Sequence, residues 1–209
     1  MTLRIPLRCR CGNVRGYADV APDTGQRVVC YCDDCQAYAH FLGNEGVLDA
    51  QGGTDLFQTW PAQMVLTEGR SQVRCVRLAK GGLFRFYAGC CRTPIGNTMA
   101  SSKSPFVGIA HSFMDHASSG RTRDEALGLP SGRTFGTYAH GGMPEGADRK
   151  VSGRLVLQST RFLGRGLLRG RLKPATLFDA ATGEPIATPE VIDAKQRVRL
   201  FELASRAPR

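Results

Sequence analysis

Cys9-Arg10-Cys11-Gly12 stands near the start of the chain, and Cys90-Cys91 stands far downstream of it. On an extended segment the two thiols of C-x-C point the same way, because side chains alternate with a period of two. Two such sulfurs can grip one ion from one side, at about 2.3 Å per Zn–S bond, and a second cysteine-bearing loop must then close the tetrahedron. Cys90 and Cys91 are the residues expected to do so. Such a site ties the two ends of a small β domain together and contributes folding free energy directly. Four thiolates leave no open position, so its role is structural. Neighbouring residues on a strand face opposite sides. Cys90 and Cys91 therefore reach one ion only where the chain turns sharply, and Gly89 just before them helps. Cys75 is a reserve ligand, although its strand position equally suits a buried, metal-free thiol.

Between the two cysteine pairs the chain reads as short strands broken by Gly-containing turns. Val14 to Val20 follows the first pair, and Arg27 to Tyr31 leads into a further cysteine cluster. Met64 to Thr67, Gln72 to Leu78 and Leu83 to Tyr87 read as consecutive strands, with turns at Glu68-Gly69-Arg70 and Lys80-Gly81-Gly82. Val73, Cys75 and Arg77 alternate with Arg74, Val76 and Leu78, so one side of that strand faces a core. Phe106 to Phe113 is a further apolar strand. The fold class this implies is mainly β: a small antiparallel domain over residues 1–115 with cysteine-bearing loops at its ends.

Residues 116–209 read as an extension, irregular at first and then helical. Over 117–150 many Gly, Ser, Pro and Arg suggest a long connection with a short helix at Asp124 to Leu127. From Ser152 to Lys173 a helix is expected, with Arg154, Arg161, Arg165 and Arg169 on one face. Gly164, Gly166 and Gly170 count against it, at roughly 1 kcal/mol each relative to Ala. Asp193 to Gln196 fits a capping box opening a last helix over Ala194 to Ala204.

The cluster after the second strand is Cys30-Tyr31-Cys32-Asp33-Asp34-Cys35. Three thiolates so close in sequence can bind one zinc and leave the fourth position to water or substrate, the arrangement of a catalytic site. A substrate thiol entering that position is deprotonated and held as thiolate. His40 is an alternative fourth ligand that would close the site. Another residue could equally complete a second structural site. A redox C-x-x-C fits less well, given the extra cysteine and the missing βαβ pattern. Tyr31 and Trp60-Pro61 either line a pocket or serve as core aromatics. His111, His116 and His140 sit alone and are weaker signals, since lone histidines are more often surface or core residues than ligands.

The chain has 209 residues, 42% of them hydrophobic and 22% charged, a composition suited to a folded globular protein. Its first ten residues, MTLRIPLRCR, lack the apolar run of a signal peptide. No stretch approaches the roughly 20 apolar residues of a membrane span. A cytoplasmic protein with no membrane partner is expected. In a reducing compartment clustered thiols bind metal or do redox chemistry more often than they form disulfides. All eight cysteines precede residue 92, so the metal chemistry belongs to the N-terminal half. The net charge of +10 divides into +4 for residues 1–112 and +6 for 113–209. Arg149 to Lys173 holds eight basic residues and no acidic one, a segment that attracts phosphates or carboxylates or is simply a solvated face.

The cysteine order resembles that of the glutathione-dependent formaldehyde-activating enzymes, the family that includes the centromere protein V type. C-x-C-G is matched by Cys9-Arg10-Cys11-Gly12, C-x-C-x-x-C by Cys30 to Cys35, and the late cysteine before a Thr-Pro-Ile-like segment by Cys91-Arg92-Thr93-Pro94-Ile95. The likeness covers roughly residues 7–115. It implies a β-tent fold, a structural zinc on the first and last cysteines, and a second, more labile zinc on Cys30, Cys32 and Cys35 at which glutathione binds. The family's late motif is usually C-x-x-C-G, which would put its first cysteine at Ala88 and its glycine at Arg92. Its middle motif usually carries His at Tyr31 and often Arg at Gln36. The implied activity is that of a carbon–sulfur lyase or synthase acting on adducts of small aldehydes with a glutathione-like thiol. The alternative is a non-catalytic, zinc-stabilised module whose Arg154–Lys173 segment meets nucleic acid or an acidic partner.

Overall fold

Ile5 and Leu7 are buried while Arg4, Pro6 and Arg8 face outward, and this alternation makes Leu3–Arg8 (β1) a strand. Pro6 lacks an N–H, which suits the edge position that β1 takes in a three-stranded antiparallel sheet with Arg15–Val20 (β2) and Met64–Glu68 (β5). The computed structural model describes residues 2–173 and 175–206. Among them the protein is mainly β, with a second, eight-stranded sheet beside the first. Its central strands are Gly25–Cys30 (β3), Thr54–Thr59 (β4), Val73–Arg77 (β6), Phe84–Ala88 (β7), Pro94–Thr98 (β8) and Val107–Ala110 (β9), all paired antiparallel in the order β3-β4-β9-β8-β7-β6.

The two outermost strands come from after residue 115 and run parallel to their neighbours. Gly132–Thr134 (β10) pairs with β3, and Pro189–Val191 (β11) pairs with β6. The sequence gives no strand signal in either place, because three residues show no periodicity. One apolar cluster joins both sheets, with Ile5, Phe57, Met64, Phe86, Ile95 and Phe113 almost entirely buried, and Leu177 and Phe178 belong to it. Each large side chain taken out of water contributes about 1.5–3 kcal/mol.

Among the described residues there are four α-helices: Asp33–Leu42 (α1), Arg123–Leu127 (α2), Gly153–Leu168 (α3) and Ala194–Arg206 (α4). The α1 helix lies where the sequence reading placed only a cysteine loop. Its signals are Asp33 and Asp34 in the first turn, buried Cys35, Tyr38, Ala39 and Leu42 at helical spacing, and Gly43 in the left-handed conformation after its end. A full capping box of Thr122 and Glu125 opens α2. The α3 helix stops at Leu168, short of the expected Lys173. Gly170 turns left-handed there, and Arg171 N–H closes back on Gly166 O at 2.8 Å. Asp193 accepts the Gln196 N–H at 2.8 Å and so caps α4, which packs on α1 through Leu200, Ala37 and Leu42. Among the described residues no helix is long and apolar enough to cross a membrane.

Candidate metal centres

The end of β1 and the turn between β7 and β8 bring the first cluster together. Past β1, a tight turn closes with Gly12 N–H on Cys9 O, and Gly12 takes a φ of +80°. The sharp turn that Cys90 and Cys91 need is present. Cys91 and Arg92 N–H groups both point at Ala88 O, Ala88 N–H reaches Thr93 O, and the left-handed residue is Arg92, at φ +56°, rather than Gly89. Sγ separations are 3.6 Å for Cys9–Cys11, 3.3 Å for Cys11–Cys90, 4.0 Å for Cys9–Cys90 and 3.9 Å for Cys90–Cys91. Four sulfurs bound at about 2.3 Å to one tetrahedral ion stand about 3.8 Å apart, whereas a disulfide needs about 2.0 Å. The four thiols are thus set for a metal ion.

Local electrostatics favour ionisation of Cys91, whereas burial pushes Cys9 upward. The Cys91 thiol is raised by burial, but hydrogen bonds from the Thr93 hydroxyl, from backbone N–H groups and from Cys11 outweigh this and bring it to about 6. Cys90 is pushed up to about 12, by burial first and then by its thiol neighbours. The Val14 N–H also points at Cys9 Sγ, at 3.3 Å.

The second cluster sits where β3 hands over to α1. Cys30 ends the strand, its partners across the ladders being Thr54 and Thr134. Cys32 is the N-cap of α1, and Cys35 lies in its first turn with its N–H on Cys32 O at 3.0 Å. C-x-x-C across a helix start turns both sulfurs toward the positive end of the helix dipole, which favours thiolate. The three Sγ atoms lie within 4.8 Å of one another, and no fourth Cys, His, Asp or Glu among the described residues joins them. Hydrogen bonds from Cys30 and Cys32 draw the Cys35 thiol well below its ordinary range against burial, with help from Arg85. Cys32 is pushed upward by its hydrogen bonds with Cys30 and Cys35, and Cys30, lowered by Cys32 but raised more by Cys35 and burial, rises to about 12.

Arg85 stands against this cluster, although it lies on β7 with only 4% of its surface exposed. Its nearest carboxylate is Asp34, at 3.8 Å, and its guanidinium sits 5.2 Å from the centre of the Tyr38 ring. Between Arg85, Cys35, Tyr38, Thr54 and Asn97 lies a narrow cavity of about 10 Å³, room for a single water. Asn97 Oδ1 and Thr54 Oγ1 are both buried there without a hydrogen-bond partner. Val47 forms part of this cavity wall and also of an open cleft of about 420 Å³, lined among others by Arg8, Arg10, Asn44, Thr93 and Ser112. Three thiols, a buried cation and two orphaned oxygens suit a metal with one further position.

The remaining candidates are placed apart from the clusters. His40 directs Nδ1 to Glu45, at 3.1 Å. Cys75 is a buried core thiol, raised to about 12 by burial. His111 and His116 bond backbone carbonyls of Asp55 and Met114. Trp60 is a core aromatic, 1% exposed. Tyr31, fully buried, places its hydroxyl between Asp49 and Arg133. Gln36 donates to Tyr31 O and Tyr138 O and accepts from His140 at 2.6 Å. Sequence reasoning missed Arg85, Asn97 and Arg133. For Arg85 a signal exists, since a lone charge flanked by Phe84 and Phe86 in a short strand demands a buried partner.

A comparison with curated proteins gives no significant match. The model of a family of unknown function, DUF6151, matches residues 1–190, and the chain belongs to that family.

Proposed function

We propose that the protein holds two zinc ions and serves thiol–aldehyde chemistry of the carbon–sulfur lyase or synthase type. Cys9, Cys11, Cys90 and Cys91 would hold the structural ion, and Cys30, Cys32 and Cys35 the second, more labile one. The observation that carries this reading is the second cluster: three converging thiols with no fourth Cys, His, Asp or Glu among the described residues, at a cavity with orphaned polar atoms. A zinc bound there supplies a Lewis acid and a position at which a thiol loses its proton.

The chain's own residues have distinct tasks in this reading. Arg85 balances the negative charge of three thiolates inside the fold. Arg8 and Arg10 in the outer cleft suit the carboxylates of a glutathione-like thiol, and Val47 stands between that cleft and the inner cavity. The resemblance to the formaldehyde-activating family adds support. Cys9, Cys11 and Cys91 of its first cysteine set and Cys30, Cys32 and Cys35 of its second fall in the two clusters. Cys90 stands in for the family's cysteine at Ala88, and a mainly β fold of two sheets suits its tent. The position where it carries glycine, Arg92, is left-handed. Where its middle motif is altered, Tyr31 and Gln36 bond Arg133, Tyr138 and His140, residues of the segment beyond the likeness.

Elemental analysis of protein purified without chelator under reducing conditions tests the first half. Two zincs per chain are expected, falling to one in Cys32→Ser. One zinc, unchanged by that substitution, would overturn the second centre. The second half is tested by exchange between formaldehyde, glutathione and their hydroxymethyl adduct. An exchange rate equal to the uncatalysed one in two-zinc protein would overturn the thiol–aldehyde chemistry and leave the metal sites standing.

A further inference from the structure

The α3 helix presents an outer face that the metal chemistry does not use. Its inner side is fixed: Leu155, Phe162 and Gly166 are buried. Phe162 stacks on Trp60 with ring centres 4.9 Å apart, and Trp60 Nε1–H donates to Phe162 O at 3.1 Å. Outward stand Val156 and Leu157, each 51% exposed, Leu167 at 52% and Leu168 at 89%. At about 100° per residue, Arg154, Arg161 and Arg165 fall in one stripe along the edge of this apolar arc. None of the three has a carboxylate partner among the described residues. The run from Arg149 to Lys173 contains no acidic residue.

We propose that α3 is a docking face for an anionic lipid surface, on which the helix lies flat. Its leucines would enter the boundary between headgroups and acyl chains, and its arginines would pair with lipid phosphates. A helix lying in the interface needs no membrane-spanning segment. Other occupants fit less of the face. A second copy would set unpaired arginines against arginines. Nucleic acid would satisfy the arginines but leave four aliphatic side chains without partners, and the helix's one aromatic residue, Phe162, is buried. A protein groove that wraps a helix needs most of its circumference, and Trp60 already occupies the inner side. A flat anionic surface takes both the charge and the apolar arc.

The test is co-sedimentation of the full chain with vesicles of phosphatidylcholine alone or with added phosphatidylglycerol, at low and high salt, with duplex DNA run in parallel. Binding is expected to the phosphatidylglycerol vesicles and not to pure phosphatidylcholine. Replacing Arg154, Arg161 and Arg165 together by Gln should weaken it on the order of 100-fold. Leu157→Ser with Leu168→Ser should remove the part of the binding that survives high salt. All five side chains are exposed, so zinc content and circular dichroism should stay unchanged. Equal binding to both vesicle types, no binding to anionic vesicles at low salt, or indifference to both sets of substitutions would overturn the proposal. So would steeply salt-dependent DNA binding without vesicle binding.

Discussion

Gly166 on α3 lies so close to the indole of Trp60 that a Cβ added to it would come within 2.5 Å of Nε1. The close approach lets the helix lie against the ring, with Trp60 stacked on Phe162 at an interplanar angle of 6°. The carbon would also meet Pro105 Cβ, at 3.2 Å. A glycine that counts against the helix on propensity alone is therefore what seats the helix on the β body.

This inverts the usual effect of a substitution. Gly→Ala inside a helix normally stabilises by about 1 kcal/mol, and Gly164→Ala, with nothing within 4 Å of its added carbon, should do so. Gly166→Ala should instead destabilise by roughly 1–3 kcal/mol, because Trp60 is packed on all sides and cannot yield. Urea denaturation of the two variants checks the opposite signs.

The β strands 72–78 and 83–87 were legible because turn glycines bound them, and 27–31 because apolar Val28 and Val29 lead into the cysteine cluster. Pro94–Thr98 was not, since all five of its residues are buried and leave no alternation to read. The α1 helix was hidden by its own cysteines, which read as a metal loop although Tyr38, Ala39 and Leu42 follow at helical spacing. The C-x-C and C-x-C-x-x-C motifs were legible because cysteine spacing is a local property, whereas the closing of the first cluster by Cys90 and Cys91 depends on the fold. Arg85 was not tied to the second cluster, because β7 meets the β3–α1 junction only in the folded chain.

The two clusters should differ in what their loss does. Cys9 is 1% exposed and joins β1 to the β7–β8 turn, so Cys11→Ser should release one zinc and lower the unfolding midpoint sharply. Cys32→Ser should release the other zinc with a much smaller shift, because β3 and α1 are also held by ladder and helix bonds. Zinc content and thermal unfolding, measured on both variants, separate these outcomes. Equal destabilisation would mean that both sites are structural.

Arg85 is expected to set the metal affinity of the second centre. Three thiolates and one divalent ion carry a net negative charge, and Arg85 is the buried cation beside them. Arg85→Met keeps much of the volume, and the Asp34 left behind is 46% exposed and stays hydrated. Zinc affinity at this centre should fall by about 10–100-fold, as when a group supporting metal ligands is lost. Competition with a chelator reads this directly, and the first centre should be unaffected.

Apart from proton-driven loss of metal at the cysteines, acid sensitivity should originate at Asp55 and His111. Burial would raise the Asp55 carboxyl, but Arg27 and Arg123 outweigh it and hold it below the ordinary carboxylate range. A depressed carboxylate stabilises the fold above its unfolded value of about 3.9, and that stability is lost as pH falls through the folded value. His111 is held below its ordinary value, by burial first and then by Arg123. Its neutral form therefore belongs to the fold, and stability begins to fall once pH drops below about 6.5, where the unfolded chain takes up the proton. Two steps are expected in a plot of unfolding free energy against pH, one below about 6.5 and one below about 4. His111→Asn should flatten the first and leave the second. Arg27→Met should cost about 3–5 kcal/mol at neutral pH, since it leaves the buried Asp55 short of its main partner, and should move the second step to higher pH. Denaturant titrations across this range check all three, and a first step that survives His111→Asn would assign it to another group.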